Sequence, residues 1–164
     1  MKDSTRWRSV GYQRISTRLR ESGITAILIG GYSSRRFCKP DGRIPPDIKI
    51  HIFNRDAENP AIFVLVISDR FEKHPRGDIY DAQWNALDIR MGQYERSATP
   101  APRPANLDKL LTVARTLASD FDFVRVDLYD VDGAIYFGKL TFTPGAGLFP
   151  LTPDTVDYEW GSLM

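Results

Sequence analysis

The most regular alternation of apolar and polar positions lies between residues 122 and 147. Its apolar members occupy every second position of the first half: Val124, Val126 and Leu128. A period of two predicts a half-buried strand over residues 122–129, and the return segment, rich in Ile, Tyr, Phe and Thr, predicts a second strand over residues 135–142. The Asp-Val-Asp-Gly sequence that joins them predicts a tight hairpin turn, with glycine in a left-handed conformation.

Two lengths of the hairpin loop are compatible with this sequence, and they place Lys139 on opposite faces of the sheet. A two-residue loop, Asp132-Gly133, would place Lys139 among the apolar residues of the first strand and would bury an unpaired charge. We therefore favour a three-residue loop, Val131–Gly133. In that register Arg125 faces Lys139 and Asp127 faces Phe137. One face of the hairpin then carries four polar residues: Arg125, Asp127, Lys139 and Thr141.

Shorter patterns along the rest of the chain complete an α+β fold. Further strands are predicted over residues 24–29, 47–53 and 61–67. The last two are expected to pair antiparallel at the centre of the sheet. Helical spacing predicts an amphipathic helix over residues 4–22 and a second helix that begins after an Asn106 cap. The tail, residues 151–164, is expected to form a short helix that closes the core. We expect one domain over residues 1–164, built as an antiparallel sheet with flanking helices.

Composition limits the classes of function. The chain has 164 residues, a formal net charge of +1 and 26% charged residues, an ordinary balance that gives no sign of nucleic-acid binding. The longest apolar run, residues 61–67, is too short to span a bilayer, and the first residues lack the apolar stretch of a signal peptide. The one cysteine, Cys38, excludes an internal disulfide. A cytoplasmic protein is expected.

The two histidines and their neighbours are further candidate sites. His51 lies on a half-buried strand, where a hydrogen-bonded structural histidine is a commoner occupant than a catalyst. His74 lies in the polar segment 68–85, where Arg70 and His74 together could hold an anionic group. The alternative for that segment is an ordered loop held by aromatic packing, and the sequence leaves both open. The aromatic residues concerned are Tyr80 and Trp84.

Several ungapped segments resemble a known family. They are FVRVDLY (residues 123–129), LTFTPGAG (residues 140–147), PPDIKIHIFN (residues 45–54) and SDRFEKHPRGDIYDAQWN (residues 68–85). A strand with arginine, one residue and aspartate, followed by a turn and a strand into a Pro-Gly turn, is similar to the metal end of an ATP-grasp ligase. The particular sequence of the segments resembles the TupA-like ATP-grasp family, which is linked to teichuronopeptide and surface-polysaccharide synthesis. The resemblance implies the C-terminal part of an ATP-grasp domain, without its N-terminal nucleotide lobe.

The resemblance also implies ATP and Mg²⁺ as cofactors and suggests roles for matching residues. Arg125 is implied as the catalytic clamp on phosphate or substrate, with Asp127 and Thr141 as metal ligands. Three cations are implied to bind the cofactor: Lys49, Arg70 and Lys139. The family normally carries glutamate where Lys139 stands, and an ammonium group donates hydrogen bonds but cannot ligate a metal. We therefore expect Lys139 to pair with Asp127, as a fixed charge in place of the metal ion.

Two hypotheses about function remain open at this point. In the first, the chain is a ligase-like protein that uses ATP and Mg²⁺ to activate a carboxylate of a surface-polymer precursor. In the second, it is a non-catalytic protein derived from the ATP-grasp fold that binds a ligand or a partner, such as a polysaccharide-biosynthesis enzyme. A second chain that supplies the missing lobe is also compatible with the resemblance.

Overall fold

A seven-stranded sheet is the framework of the fold in the computed structural model of the chain, which describes residues 17, 19, 27–28, 45–69 and 73–164. Its strands are β1 (Ile27–Leu28), β2 (Asp47–Phe53), β3 (Ala61–Ser68), β4 (Arg76–Asp81), β5 (Ala86–Leu87), β7 (Phe123–Val131) and β8 (Ala134–Thr141). Two short strands, β6 (Arg90–Met91) and β9 (Leu151–Thr152), pair separately. The helices discussed below are α1 (Leu107–Ala118) and α2 (Thr155–Gly161).

The order of the strands confirms the predicted α+β class. Across the sheet they lie in the order β1-β8-β7-β2-β3-β4-β5. Neighbouring strands are antiparallel except for β1, which pairs parallel with β8 at one edge. The predicted antiparallel pair of residues 47–53 and 61–67 is present near the centre as β2 and β3, and the predicted strands of the hairpin are present as β7 and β8.

The prediction of a polar loop over residues 68–85 is wrong in its middle part, which forms β4. This strand extends the sheet beyond β3, and its register pairs Tyr80 with Val64. The sequence pattern hides the strand because one of its inward positions is the charged Asp78, which is buried. The Oδ1 atom of Asp78 accepts a hydrogen bond of 3.0 Å from the Ser97 backbone N–H, so the buried carboxylate has a partner.

The first face of the sheet packs against α1. Apolar residues of α1 recur every three or four positions, which places them on one side of the helix: Leu107, Leu110, Leu111, Ala114, Leu117 and Ala118. They meet the Ile side chains of β2 and the Val side chains of β7 in one cluster, which also contains Leu19. Asn106 precedes the helix as predicted, but its side chain makes no capping hydrogen bond.

The second face of the sheet is apolar at one side and polar at the other. Where it packs against α2, the buried Trp160 and Val156 meet Phe53 at the end of β2 and Leu65 of β3. This confirms the predicted closing helix. Along β2 and β7 the same face carries the polar residues of the alternation. The candidate site lies there.

Two sequence predictions fall largely outside the described residues. Of the helix predicted over residues 4–22, the structure describes Thr17 and Leu19, which are both helical. The strand predicted over residues 24–29 is described at β1 alone. Within the described part of the chain, no helix has both the length and the apolar character needed to cross a bilayer.

A buried ion cluster as candidate functional site

The β7–β8 hairpin has a two-residue loop, so the predicted three-residue loop is wrong. Val131 pairs with Ala134, which leaves Asp132 and Gly133 as the loop. Both have positive φ, 52° and 82°, as a type I′ hairpin turn requires. The Asp130 Oδ1 atom accepts a hydrogen bond of 3.1 Å from the Gly133 N–H, which stabilises this shorter loop.

A bulge at Gly138 nevertheless keeps Lys139 on the polar face. The pairing shifts by one residue between Leu128 and Asp127, so that Gly138 has no partner on β7 and Asp127 lies opposite Lys139. A Cβ atom at Gly138 would lie 3.0 Å from the Asp127 carbonyl oxygen and 3.2 Å from the Tyr129 ring, which explains the glycine.

Because of the bulge, the four polar residues share one face of the hairpin as predicted, but the cross-strand pairs between β7 and β8 differ from the predicted ones. Arg125, Asp127, Lys139 and Thr141 lie on one face, as expected, because the extra residue restores the alternation that the shorter loop would have reversed. Arg125 pairs with Thr141 rather than with Lys139. Asp127 pairs with Lys139 rather than with Phe137, which instead lies opposite Leu128.

Asp127 is the centre of the polar face, and both of its carboxylate oxygens are engaged by cations. Arg125 donates from Nε to Oδ1 at 2.7 Å and from Nη2 to Oδ2 at 3.0 Å. Lys49 donates from Nζ to Oδ2 at 3.0 Å. Asp127 is 2% exposed, and Lys49 and Arg125 are each 7% exposed. Charge-assisted bonds of this length, shielded from water, hold the carboxylate in one orientation.

Lys49 also forms an ion pair with a second carboxylate, that of Asp47. Its Nζ lies 2.9 Å from Oδ2 of Asp47, which is also buried. We call Asp47, Lys49, Arg125 and Asp127 the ion cluster. Its two carboxylates and two cations cancel in formal charge, which is the condition under which buried charges are tolerated. Sequence reasoning missed Asp47, although its spacing of two from Lys49 on β2 places both on one face.

The expected pair between Lys139 and Asp127 is wrong. Lys139 lies opposite Asp127 in the register, but its side chain is exposed and no ion pair joins it to any residue that the structure describes. Lys49, which comes from the neighbouring strand β2, is the lysine that reaches the carboxylate. Thr141 is half-buried, and its Oγ1 accepts a hydrogen bond of 3.2 Å from Arg125 Nη2. The structure thus brings Lys49, Arg125, Asp127 and Thr141 together.

His51 lies next to the ion cluster and is buried. It is 1% exposed, and neither ring nitrogen makes a well-aligned hydrogen bond to a described residue, although the ring interacts with the Phe63 backbone. Its ring lies 5.5 Å from Trp160 and 6.5 Å from Phe123, centroid to centroid. Burial, reinforced by the positive charge of Arg125, lowers the pKa of His51 from 6.5 to about 3, although the interaction with the Phe63 backbone raises this pKa slightly. The ring is therefore a neutral part of the core.

This shift predicts that acid destabilises the fold through His51. Between pH 6.5 and about pH 3 the unfolded chain protonates His51 and the folded chain does not. The free energy of unfolding should therefore fall with decreasing pH, with a contribution of up to about 1.4 kcal/mol per pH unit from this residue. Urea unfolding of the wild type and of His51→Leu across this range measures the contribution, because the variant should lose this part of the slope. His74→Gln, at an exposed position, is the control that should keep it. Parallel pH dependences for the wild type and His51→Leu would contradict the account.

The structure describes most of segment 68–85, with the exception of residues 70–72. Arg70 lies outside the described residues, and His74 is exposed. The aromatic packing is present: the Tyr80 and Trp84 rings stack at 4.3 Å, and both contact one backbone position. Tyr80 Oη accepts from the Ala101 N–H at 2.7 Å, and Trp84 Nε1 donates to the Ala101 carbonyl at 3.0 Å. An anion site that includes Arg70 stays a prediction.

The residues at this face do not fit a magnesium ion. Mg²⁺ needs several oxygen ligands in octahedral geometry, and here the Asp127 oxygens accept bonds from two cationic side chains. The neighbouring position holds Lys139. Among the described residues no group of three or more His, Cys, Asp or Glu side chains is placed to hold a metal ion. The implied ligands Asp127 and Thr141 are adjacent, but Arg125 bonds to both of them.

Comparison with known proteins gives one positive finding. The family model described as TupA-like ATPgrasp matches residues 39–164, which is most of the chain and includes all four residues of the ion cluster. The comparisons with curated proteins and with solved structures each gave no significant match.

Proposed function

The chain belongs to the TupA-like ATP-grasp family, and from that premise we propose that it is a non-catalytic binding protein derived from the ATP-grasp fold. The ion cluster carries this proposal. An ATP-grasp ligase needs its metal end open to Mg²⁺, whereas here the matching aspartate is enclosed by Lys49 and Arg125. Freeing it for a metal would require two buried cations to lose their shared partner, which is costly in a dry interior.

The same family membership supports a role in cell-surface polysaccharide synthesis. In this role the chain binds a component of the pathway, or an enzyme that acts in it, without consuming ATP. A second chain that contributes a nucleotide lobe is the other kind of partner that the resemblance suggests. Co-purification of the chain with a polysaccharide-synthesis enzyme from its own cells would support the pathway assignment, which is separate from the question of catalysis.

The second candidate function is the ligase itself, with ATP and Mg²⁺. One observation favours it: Arg125, Asp127 and Thr141 are held together on one face, as the family's machinery requires. In this alternative Arg125 clamps a phosphate or the substrate, and Lys49, Arg70 and Lys139 bind the nucleotide. The ion cluster would then have to open when ATP and Mg²⁺ bind.

Calorimetric titration with ATP and Mg²⁺ separates the two candidates. We expect no saturable one-site heat for the wild type. We expect none for Lys139→Glu either, because restoring the acid leaves Asp127 bonded to Arg125 and Lys49. Lys109→Glu, which makes the same charge change at an exposed position of α1, is the matched control.

Saturable Mg²⁺-dependent heat with the wild type would rule out the binding protein in favour of the ligase. Such heat with Lys139→Glu, but not with Lys109→Glu, would show that Lys139 rather than the ion cluster excludes the metal.

A further inference from the structure

The polar face carries one positive charge that the ion cluster does not balance. On β2, β7 and β8 this face presents two carboxylates, Asp47 and Asp127, and both are neutralised by Lys49 and Arg125. Lys139 is a third cation on the same face. Its side chain is exposed, and it has no ion pair with the residues that the structure describes.

Two further donors lie beside Lys139. Arg125 uses Nε and Nη2 for its bonds to Asp127 and Thr141, and its Nη1 group donates to no residue in the described ranges. Thr141 accepts from Arg125, and among the described residues its hydroxyl proton has no acceptor. Thr141 is two positions from Lys139 on the same face, a spacing of about 7 Å along a strand. The flexible stem of a lysine can cover that distance.

From these groups we infer a metal-independent oxyanion site formed by Lys139, Thr141 and the Nη1 group of Arg125. This inference rests on the proposed binding function and names the class of ligand: a phosphate or carboxylate group of a larger molecule. The three groups are all donors, and two are cations, so they match an acceptor that carries negative charge. The ion cluster orients Arg125 in advance, which lowers the entropy cost of binding.

The positive charge of these groups excludes a cationic ligand. A metal ion or an ammonium group would meet an ammonium, a guanidinium group and a hydroxyl, while both carboxylates on this face of β2, β7 and β8 are already paired with Lys49 and Arg125. At position 139, where the family resemblance implies a metal-ligating glutamate, the lysine therefore supplies an anion-binding group. In this arrangement Lys139 contacts the ligand directly, and Asp127 positions Arg125.

Nuclear magnetic resonance titration with inorganic phosphate, in the presence of EDTA, tests the site. We expect saturable shifts confined to residues 139–141 and to the Arg125 Nε–H signal. Lys139→Gln should weaken binding roughly tenfold or more, since a charged hydrogen bond is lost. Lys109→Gln, at an exposed position of α1, should leave binding unchanged. A parallel titration with acetate at equal ionic strength distinguishes a phosphate site from a general oxyanion site.

Two outcomes would overturn the inference: no saturable shifts with either anion in the presence of EDTA, even where added Mg²⁺ restores them, or an equal loss of binding in the two lysine variants. Failure here is distinguishable from failure of the proposed function. Mg²⁺-dependent heat of ATP binding to the wild type would refute the proposal of a non-catalytic binding protein, whatever the phosphate titration shows. The oxyanion site is refuted by the phosphate titration, even when ATP gives no heat.

Discussion

Replacement of Asp127 by asparagine is expected to lower the free energy of unfolding by about 3–5 kcal/mol, the usual cost of breaking a buried ion pair from one side. Both carboxylate oxygens accept bonds from cationic donors. Whichever way the new amide is turned, its NH₂ group must therefore face Arg125 or Lys49. The variant also leaves two buried cations with Asp47 as the one remaining carboxylate of the cluster.

Urea unfolding of Asp127→Asn measures this cost, with Asp132→Asn as the matched control. Asp132 is exposed in the hairpin loop, and its positive φ is one that asparagine tolerates. The control should therefore remain within about 0.5 kcal/mol of the wild type. A loss below about 1 kcal/mol for Asp127→Asn would mean that the ion cluster does not hold the hairpin to β2 as described.

Replacement of Trp160 by alanine is the second change with a large expected effect, about 3–5 kcal/mol of destabilisation. The indole is buried between the sheet and α2, with its ring centroid 4.4 Å from that of Phe63 and 5.6 Å from that of Phe53. Alanine would leave a cavity above these rings and above His51. Water that enters the cavity should raise the pKa of His51 from about 3 towards its ordinary value.

Two measurements check the Trp160→Ala prediction. Thermal or urea unfolding gives the loss of stability, and the control is Tyr158→Ala on the same helix, where the side chain is 82% exposed. The control should change stability by about 0.5 kcal/mol or less. A shift of the His51 titration in Trp160→Ala, followed by its ring proton signals, should accompany the loss. A stable variant with an unchanged His51 would contradict the packing described for α2.

The strands that could be predicted are those with a clear apolar pattern. In β2 and β7 apolar residues alternate with polar ones, β3 is a continuous apolar run, and β8 is rich in Ile, Tyr, Phe and Thr; all four lie within about two residues of their predicted ends. β4 escaped because its inward position at Asp78 is a carboxylate satisfied by the backbone of Ser97, nineteen residues away in sequence. A buried polar residue of this kind stands where the strand pattern expects an apolar one. Its partner is distant in sequence, so the neighbouring residues do not indicate that it is satisfied.

The hairpin shows how one correct observation can give the wrong register. The expectation that Lys139 avoids the apolar face was right, and the loop length inferred from it was wrong. The bulge at Gly138 reconciles the short loop with the polar position of Lys139. An isolated glycine within a strand pattern is a sign of a bulge, so the sequence contained the signal.

The partner of Asp127 could not be predicted from the hairpin alone. Lys139 is close in sequence and lies opposite on β8, whereas Lys49 is separated from Asp127 by 78 positions. The choice between them depends on β2 lying beside β7 in a register that sets Lys49 opposite Asp127. That arrangement is a property of the whole sheet. The family resemblance identified Lys49 as a residue of interest without giving its contact.

Paramagnetic broadening of the Asp127 carboxyl signal is the most direct test of the central claim, that the ion cluster closes this carboxylate to divalent cations. Mn²⁺ suits the same oxygen ligands as Mg²⁺ and broadens the signals of nuclei close to it. The ¹³C carboxyl signals of the wild type are followed while Mn²⁺ and ATP are added together. The account predicts that the Asp127 signal stays sharp while signals of exposed aspartates such as Asp132 broaden gradually. Loss of the Asp127 signal at substoichiometric Mn²⁺ would contradict it.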